Sequence, residues 1–393
     1  MRNSYFQNKC IFALRQPRHS LSALQWIEPS PQAGGDGGGL SLFLIPHSSL
    51  KQSAFFLLLP ALFLLASCTS STTDADSTSK KKGKSISAPY ELLVVCNKEW
   101  LGTAAAEPFN ELLRTEVPAL PQSEPLLRTT IINPSAFSGT FRFYANILRA
   151  DISSSYSAAE CRFARNVHCQ PQLIATLTAP NQQAFDSLLL LRGETILQAF
   201  VEQELQAEAQ RLRRQYSRQL RSAASEQFGI DIYAPKEIDA VKRIPSPTSE
   251  GATKGGFLWA SSEGTEENYY NIVVYTYPLS PGEGGIDAFI AHRHEALAPN
   301  ITAPTPGSYM SLDTTLLIQR EVEVGGERVS EVRGLWQMEH AAMGGPFISH
   351  TYTDSLRHRA LVAEAFVFAP GKDKRTFMRR LEAALRTIKV VND

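Results

Sequence analysis

Apolar residues along this chain are spaced in two ways, and the spacing sets the expected elements. From Tyr90 to Cys96 they run almost without interruption, which predicts a strand buried on both faces. Ala104 to Glu116 reads as an amphipathic helix that stops before Pro118. Leu126 to Asn133, Phe141 to Ile152 and Gln172 to Thr178 read as strands. Beyond Ala179-Pro180 the apolar positions shift to three- and four-residue intervals, and Phe185, Leu189, Ile196, Phe200, Leu205, Leu212 and Leu220 fall on one stripe. A single long helix from about Asn181 to Phe228 is predicted, with Pro180 in its first turn, where a missing N–H costs nothing.

The second half alternates again. Phe257 to Ser261 and Tyr269 to Tyr277 read as strands and Gly285 to Leu297 as a helix. Leu316 to Val324 and Arg328 to Glu339 flank Gly325-Gly326, a hairpin signal. Phe347 to Thr353 and Ala360 to Phe368 are further strands, and Lys372 to Ile388 is a closing helix. Ala369-Pro370 echoes Ala179-Pro180, each joining a strand to a helix. The expected fold class is α+β, with two related halves, each a mainly antiparallel sheet with helices packed on one face, and one very long helix in the first half.

One apolar run is too short for a membrane-spanning helix. Ala54 to Ala66 has 13 residues, against roughly 20 for a bilayer crossing, and it ends in Leu65-Ala66-Ser67-Cys68, a small-residue cleavage site of the lipoprotein type. Cys68 is thereby the expected site of lipidation, its acyl chains holding the mature N-terminus in a membrane. About fifty residues precede this signal, including the Gly/Pro-rich stretch Pro29 to Leu40, where a short basic segment belongs. The expected organisation is residues 1–49 as an extension ahead of the true start, 50–67 as signal peptide and 68–88 as a flexible Ser/Thr/Lys tether. Residues 89–228 and 229–393 then form the two α+β halves.

Charge narrows the partners. The whole chain carries 39 basic and 39 acidic residues. Past residue 67 the counts are 34 and 37, with four of the lysines in the tether at Lys80, Lys81, Lys82 and Lys84. Without a basic footprint, nucleic acid is not an expected partner. Cys96, Cys161 and Cys169 are an odd set in a compartment that permits disulfides, so Cys161 and Cys169 either bridge a short loop or stay free. With His168 they supply three candidate zinc ligands and no fourth, and no metal or cofactor is expected. His292 and His294 lie about 200° apart on a helix and cannot share a metal. The arginines at 211, 213, 214, 218 and 221 follow four glutamates along the long helix, an order that favours the helix dipole on a solvated face.

Two dense segments, Arg333-Gly334-Leu335-Trp336 and Met343-Gly344-Gly345-Pro346-Phe347, are candidates for a binding lip formed by Arg333, Trp336, Met343 and Phe347 around a glycine turn. The alternative is that these large side chains fill the core. His340 or His350 with Glu339 or Asp354 are the candidates for a hydrolase pair.

Several short motifs carry a further likeness. They are Leu120-Pro121-Gln122-Ser123-Glu124-Pro125, Gln170-Pro171-Gln172, Ser308-Tyr309-Met310, the two dense segments just named, and Ala369-Pro370 with Lys374-Arg375. In this combination the chain resembles a lipoprotein family of Bacteroidetes catalogued as a domain of unknown function. The resemblance spans about Tyr90 to Ile388 and implies an envelope lipoprotein, with no activity or catalytic residue to carry over. The expectation is a membrane-anchored envelope protein, lipid-anchored in the outer membrane of a Gram-negative bacterium, acting as a binding or structural module toward a peptide, a glycan or another envelope protein. A periplasmic or surface hydrolase is the alternative.

Overall fold

The computed structural model describes residues 83–245, 256–262, 269–280, 285–355 and 358–391. The expected extension, signal peptide, Cys68 and the tether up to residue 82 lie outside the described residues.

The first sheet is built from β1 (Glu91–Val95), β2 (Arg128–Ile132), β3 (Asn146–Ile152), β4 (Glu160–Arg165) and β5 (Leu173–Ala179), in the order β2-β1-β3-β5-β4. The pairings β1 with β2, β1 with β3 and β3 with β5 are parallel, and only β4 with β5 is antiparallel. Parallel strands need cover on both faces, which explains the unbroken apolar run of β1. Leu92 and Val94 point into the main core, whereas Leu93 and Val95 point into a smaller cluster closed by Phe137, Phe141 and Tyr144. Between β1 and β2 come α1 (Lys98–Leu101) and α2 (Glu107–Leu113). β4 is an edge strand, exposed over most of its length and blunted by Glu160, Arg162 and Arg165.

After β5 the chain enters α3 (Gln182–Arg214), 33 residues long. Asn181 caps it, its side chain accepting from the Ala184 N–H at 2.9 Å, so Pro180 stands before the cap rather than in the first turn. The single long helix is corrected to two. The chain breaks at residues 215–217, and α4 (Arg218–Phe228) starts afresh because the Ser217 hydroxyl accepts from Leu220 N–H at 3.1 Å. Gly229, at φ 71°, ends α4 in the left-handed region. The short strand β6 (Ile230–Asp231) follows.

The second sheet comprises β7 (Ala240–Pro245), β8 (Gly256–Ser261), β9 (Tyr269–Pro278), β10 (Tyr309–Leu312), β11 (Ile318–Val324), β12 (Glu327–Glu339), β13 (Gly344–Asp354) and β14 (Arg359–Phe368). Its order is β10-β12-β13-β14-β9-β8-β7, with β11 on the first part of β12. Every pairing in it is antiparallel. Gly325 and Gly326, at φ 62° and 90°, make the tight turn between β11 and β12. α5 (Gly285–Leu297) covers one face through Phe289 and Leu297, and α6 (Arg375–Leu385) lies against β13 and β14 on the other. β15 (Lys389–Val390) returns to pair with β6.

The α+β class holds, and over the molecule the pairing is mainly antiparallel. The finer expectation fails in two places. The first sheet is mostly parallel, and the second carries helices on both faces because β14 buries Leu361, Ala363 and Ala365 toward α6 and Val362 and Phe366 toward α5. The strand pairings do not repeat one plan. α6 packs on α3, and one apolar core runs from Leu92 and Leu148 through Phe200 to Leu361 and Leu381.

Gly345 fixes the approach of β13 to the Trp336 indole. A Cβ there would lie 2.1 Å from the Val367 carbonyl oxygen and 3.1 Å from the indole nitrogen. Gly345→Ala is expected to cost about 3 kcal/mol through overpacking, read as a lower urea midpoint; an unchanged midpoint would contradict this packing.

Candidate functional site

Residues alternate between the two faces of β12, and this decides the fate of the candidate lip. Trp336 belongs to the core under α5, with Phe347 and partly buried Met343. Trp336 is 3% exposed and Phe347 1%. The Trp336 indole donates to the Val367 carbonyl at 3.2 Å, and Phe347 lies beneath the Arg293 guanidinium at 4.8 Å. Arg333, three residues earlier, projects to the opposite face toward α6. The four residues therefore form no common surface, and the core-filling alternative describes Trp336, Met343 and Phe347.

What Arg333 joins instead is a buried network of charge. Its guanidinium donates to Glu331 at 2.8 Å and pairs with Glu382 of α6 at 2.7 Å. Glu382 also accepts from Arg379 at 2.7 Å and pairs with Arg386 at 3.4 Å, and Arg386 reaches Glu202 of α3. Arg320 of β11 donates to Glu331 at 2.7 Å. Burial alone would raise both carboxyls. The guanidiniums of Arg333, Arg379 and Arg386 overcome it and hold Glu382 down at about 2. Glu331 is likewise held below the usual carboxylate range, against its burial, by His350, Arg333 and Arg320. Arg333 stays firmly charged: burial opposes this, but Glu382 and Glu331 outweigh it.

The hydrolase pairs do not assemble in the expected way. His350 is buried, and its Nε2 lies 3.2 Å from Glu331 rather than at Asp354. Asp354 accepts from Arg359 at 3.0 Å. His340 is exposed at φ 61° in the β12–β13 turn, while Glu339 accepts from Ser311 at 2.5 Å and from Gln337 at 3.1 Å. The His350 Nδ1 is buried without a hydrogen-bond partner. His350 is thus enclosed on the α6 side of the sheet, beside Glu331.

On the opposite face Arg293 of α5 forms a forked pair with Glu364 of β14, at 2.7 Å and 2.9 Å. Burial pushes the Glu364 carboxyl up, against the pull of Arg293. His292 stacks on Tyr277 at 3.9 Å and His294 packs edge-on to Tyr309, so the two rings diverge.

Motifs far apart in sequence meet here. Glu124, in the loop after α2, accepts the Lys374 and Arg375 N–H groups at 2.6 Å and 3.0 Å and so caps α6. Lys374 donates its ammonium to Gln122 at 2.8 Å, and Arg375 donates to the Pro125 carbonyl at 2.9 Å. Gln172, which follows the cis bond between Gln170 and Pro171, donates to the Arg142 and Tyr144 carbonyls. Cys161 and Cys169 are free thiols, and Cys169 donates to the Phe143 carbonyl at 3.3 Å. No group of three or more metal-ligating side chains is gathered among the described residues.

The concave surface lies elsewhere, beside α4. Two adjoining hollows of about 300 and 520 Å³ share Arg218, Ser222 and Glu226. Tyr216, Arg221 and Asp231 line one, and Val241 and Arg243 the other. Arg221 is neutralised by Asp231 and Arg243 by Glu226, which leaves exposed Arg218 between them. The sequence pattern marked these arginines as a solvated helix face and gave no hint of the hollows, because Asp231, Val241 and Arg243 arrive from β6 and β7. Glu331, Glu382 and Glu124 were also missed. A signal existed for α6: Arg375, Arg379, Glu382 and Arg386 recur at four- and three-residue steps and form one stripe.

Two family models match consecutive stretches of the chain. Residues 85–213 match the model of a domain of unknown function, DUF8532, and residues 217–387 that of a second, DUF4837. The boundary falls at the break between α3 and α4. A search of curated proteins finds no match. Among solved structures, a Bacteroides thetaiotaomicron protein is similar over 42% of this chain at 10% identity and a TM-score of 0.22; the match spans 46% of that protein's own length. The Ran-binding protein Mog1p of Saccharomyces cerevisiae is similar over 42% of this chain and 91% of its own, at 12% identity and a TM-score of 0.26. Among the described residues no helix is long and apolar enough to cross a membrane.

If Trp336 fills the core, Trp336→Ala should cost about 3–5 kcal/mol in urea unfolding, whereas a surface lip residue would cost almost nothing. The network has its own signature in acid. A carboxyl depressed on folding stabilises the protein fully above its unfolded value, about 4.3, and loses that contribution as pH falls toward the folded one. With Glu382 at about 2, the urea midpoint should stay level from about pH 7 to 5 and fall between about pH 4.3 and 2. Glu382→Gln should flatten part of that fall; an identical acid profile would show that Glu382 is not held ionised.

Proposed function

We propose that this chain is a lipoprotein of the bacterial cell envelope, held in the membrane by acylated Cys68, whose folded body serves as a binding or structural module. The observation that carries the reading is the order of features: an apolar run of signal-peptide length, Leu65-Ala66-Ser67-Cys68, a polar stretch, then a body whose ordered strands begin at Glu91. Two or three acyl chains give the stable attachment that one does not. The motif likeness to Bacteroidetes lipoproteins supports the same placement, and Thr69 after the cysteine carries no inner-membrane retention charge, which favours the outer membrane.

A binding role suits the described chemistry better than hydrolysis. The buried histidine sits against Glu331 and the buried acids are taken up by arginines, while the hollows beside α4 offer open surface of mixed charge around Arg218. Such a surface fits an acidic peptide or glycan, or a facing patch on another envelope protein.

Cys68→Ser tests the reading. The parent, made in its cells, should carry the mass of the acyl chains and partition into detergent; the variant should lose both. Equal mass and equal partitioning would overturn it.

A further inference from the structure

The end of the first sheet from which the N-terminal segment departs has a composition unlike the rest of the surface. Three short segments meet there. Gln170 donates its N–H to the Gly83 carbonyl at 2.9 Å, Ile86 donates to the Phe143 carbonyl at 3.1 Å, and Ala145 donates to the Ser87 hydroxyl at 3.0 Å. Each segment exposes a large apolar side chain: Ile86 is 57% exposed, Phe143 38% and Val167 42%. Each also carries a cation, at Lys84, Arg142 and Arg165, all exposed. Residues 83–87, 142–145 and 165–172 contain no Asp or Glu.

Apolar side chains ringed by lysine and arginine on one side of a soluble body match the boundary of a bilayer with acidic headgroups. Position adds a second argument. Fourteen residues, Thr69 to Lys82, separate Cys68 from Gly83, a reach of at most about 50 Å. The chain enters the body at this end, so a weak surface affinity here would be amplified by a membrane anchor at Cys68. We infer that the Ile86, Phe143 and Val167 face rests on the anionic lipid surface. The inference rests on the acylated Cys68 reading and deepens it.

The most exposed apolar pair, Leu190 and Leu191 at 91% and 79%, supplies the control. It lies on α3 thirteen residues before Gln203, which bonds to Ala145 and Asn146 at the tether end of the sheet, about 20 Å away along the helix.

The test uses the acylated full chain, its acyl mass verified, in vesicles of phosphatidylethanolamine and phosphatidylglycerol with brominated acyl chains. Phe143→Trp should lose about a third of its added tryptophan emission to bromine, and Leu190→Trp should lose almost none. Reversing Lys84, Arg142 and Arg165 to glutamate should remove most of the quenching at 143. No quenching at 143, or equal quenching at both positions, overturns the inference. Absence of the acyl mass is a separate failure, that of the anchor reading. In that case unacylated Phe143→Trp is titrated with the same vesicles, where quenching at 143 alone upholds the face and none sinks it.

Discussion

A carboxylate in the last turn of α6 sets the terms for the rest of the molecule. Glu382 is buried and ionised, a state that costs several kcal/mol unless opposite charge is brought to it. Arg333 comes from the second sheet, and Arg379 and Arg386 from α6 itself. Arg386 then reaches back to α3, and Glu124 from the first half caps the start of the same helix. α6 is thereby held at both ends by the first half and along its length by the second. α6 packs on α3 from the first part of the chain and on β13 and β14 of the second sheet.

The two sheets joined through α6 differ in plan. The first is parallel and short, covered by α2 and α3 on one face and by aromatic turns on the other. The second is long and antiparallel, and its wider surface takes α6 on one face and α5 on the other. Each face of the second sheet holds buried arginine–glutamate pairing, Arg333 with Glu331 and Glu382 on one and Arg293 with Glu364 on the other. Such pairs add less stability than apolar packing of the same volume, but they penalise any register that leaves one partner alone. Their consequence for function is negative and useful. Arg333, His350 and Asp354, singled out in the sequence, are engaged with Glu331, Glu382 and Arg359 inside the fold, whereas His340 is exposed.

Much of this was legible in the sequence where local physics decides. The Gly325-Gly326 hairpin, α5 at Gly285–Leu297 and the buried β1 follow from turn chemistry and spacing. The break between α3 and α4 was hidden because Tyr216 and Leu220 continue the apolar stripe across it, and only Ser217 marks the new cap. β4, β7 and β10 were missed: β4 and β7 bury almost nothing, and β10 is short. Trp336 and Arg333 illustrate the limit best. They are close in sequence and both dense with chemical possibility, yet the period of a strand sends them to opposite faces. Burial of charge was the least legible feature, since a pattern of arginines and glutamates at helical spacing reads first as a wet surface.

The central claim is that Arg333 and Glu382 act as one unit joining the second sheet to α6. A double-mutant cycle with Arg333→Met and Glu382→Leu, measured by urea unfolding of the whole chain, addresses it directly. The account predicts a coupling of about 2 kcal/mol or more, the double variant being far less damaged than the two single losses combined. Additive losses would show that the pair is incidental and that α6 is held by apolar packing alone.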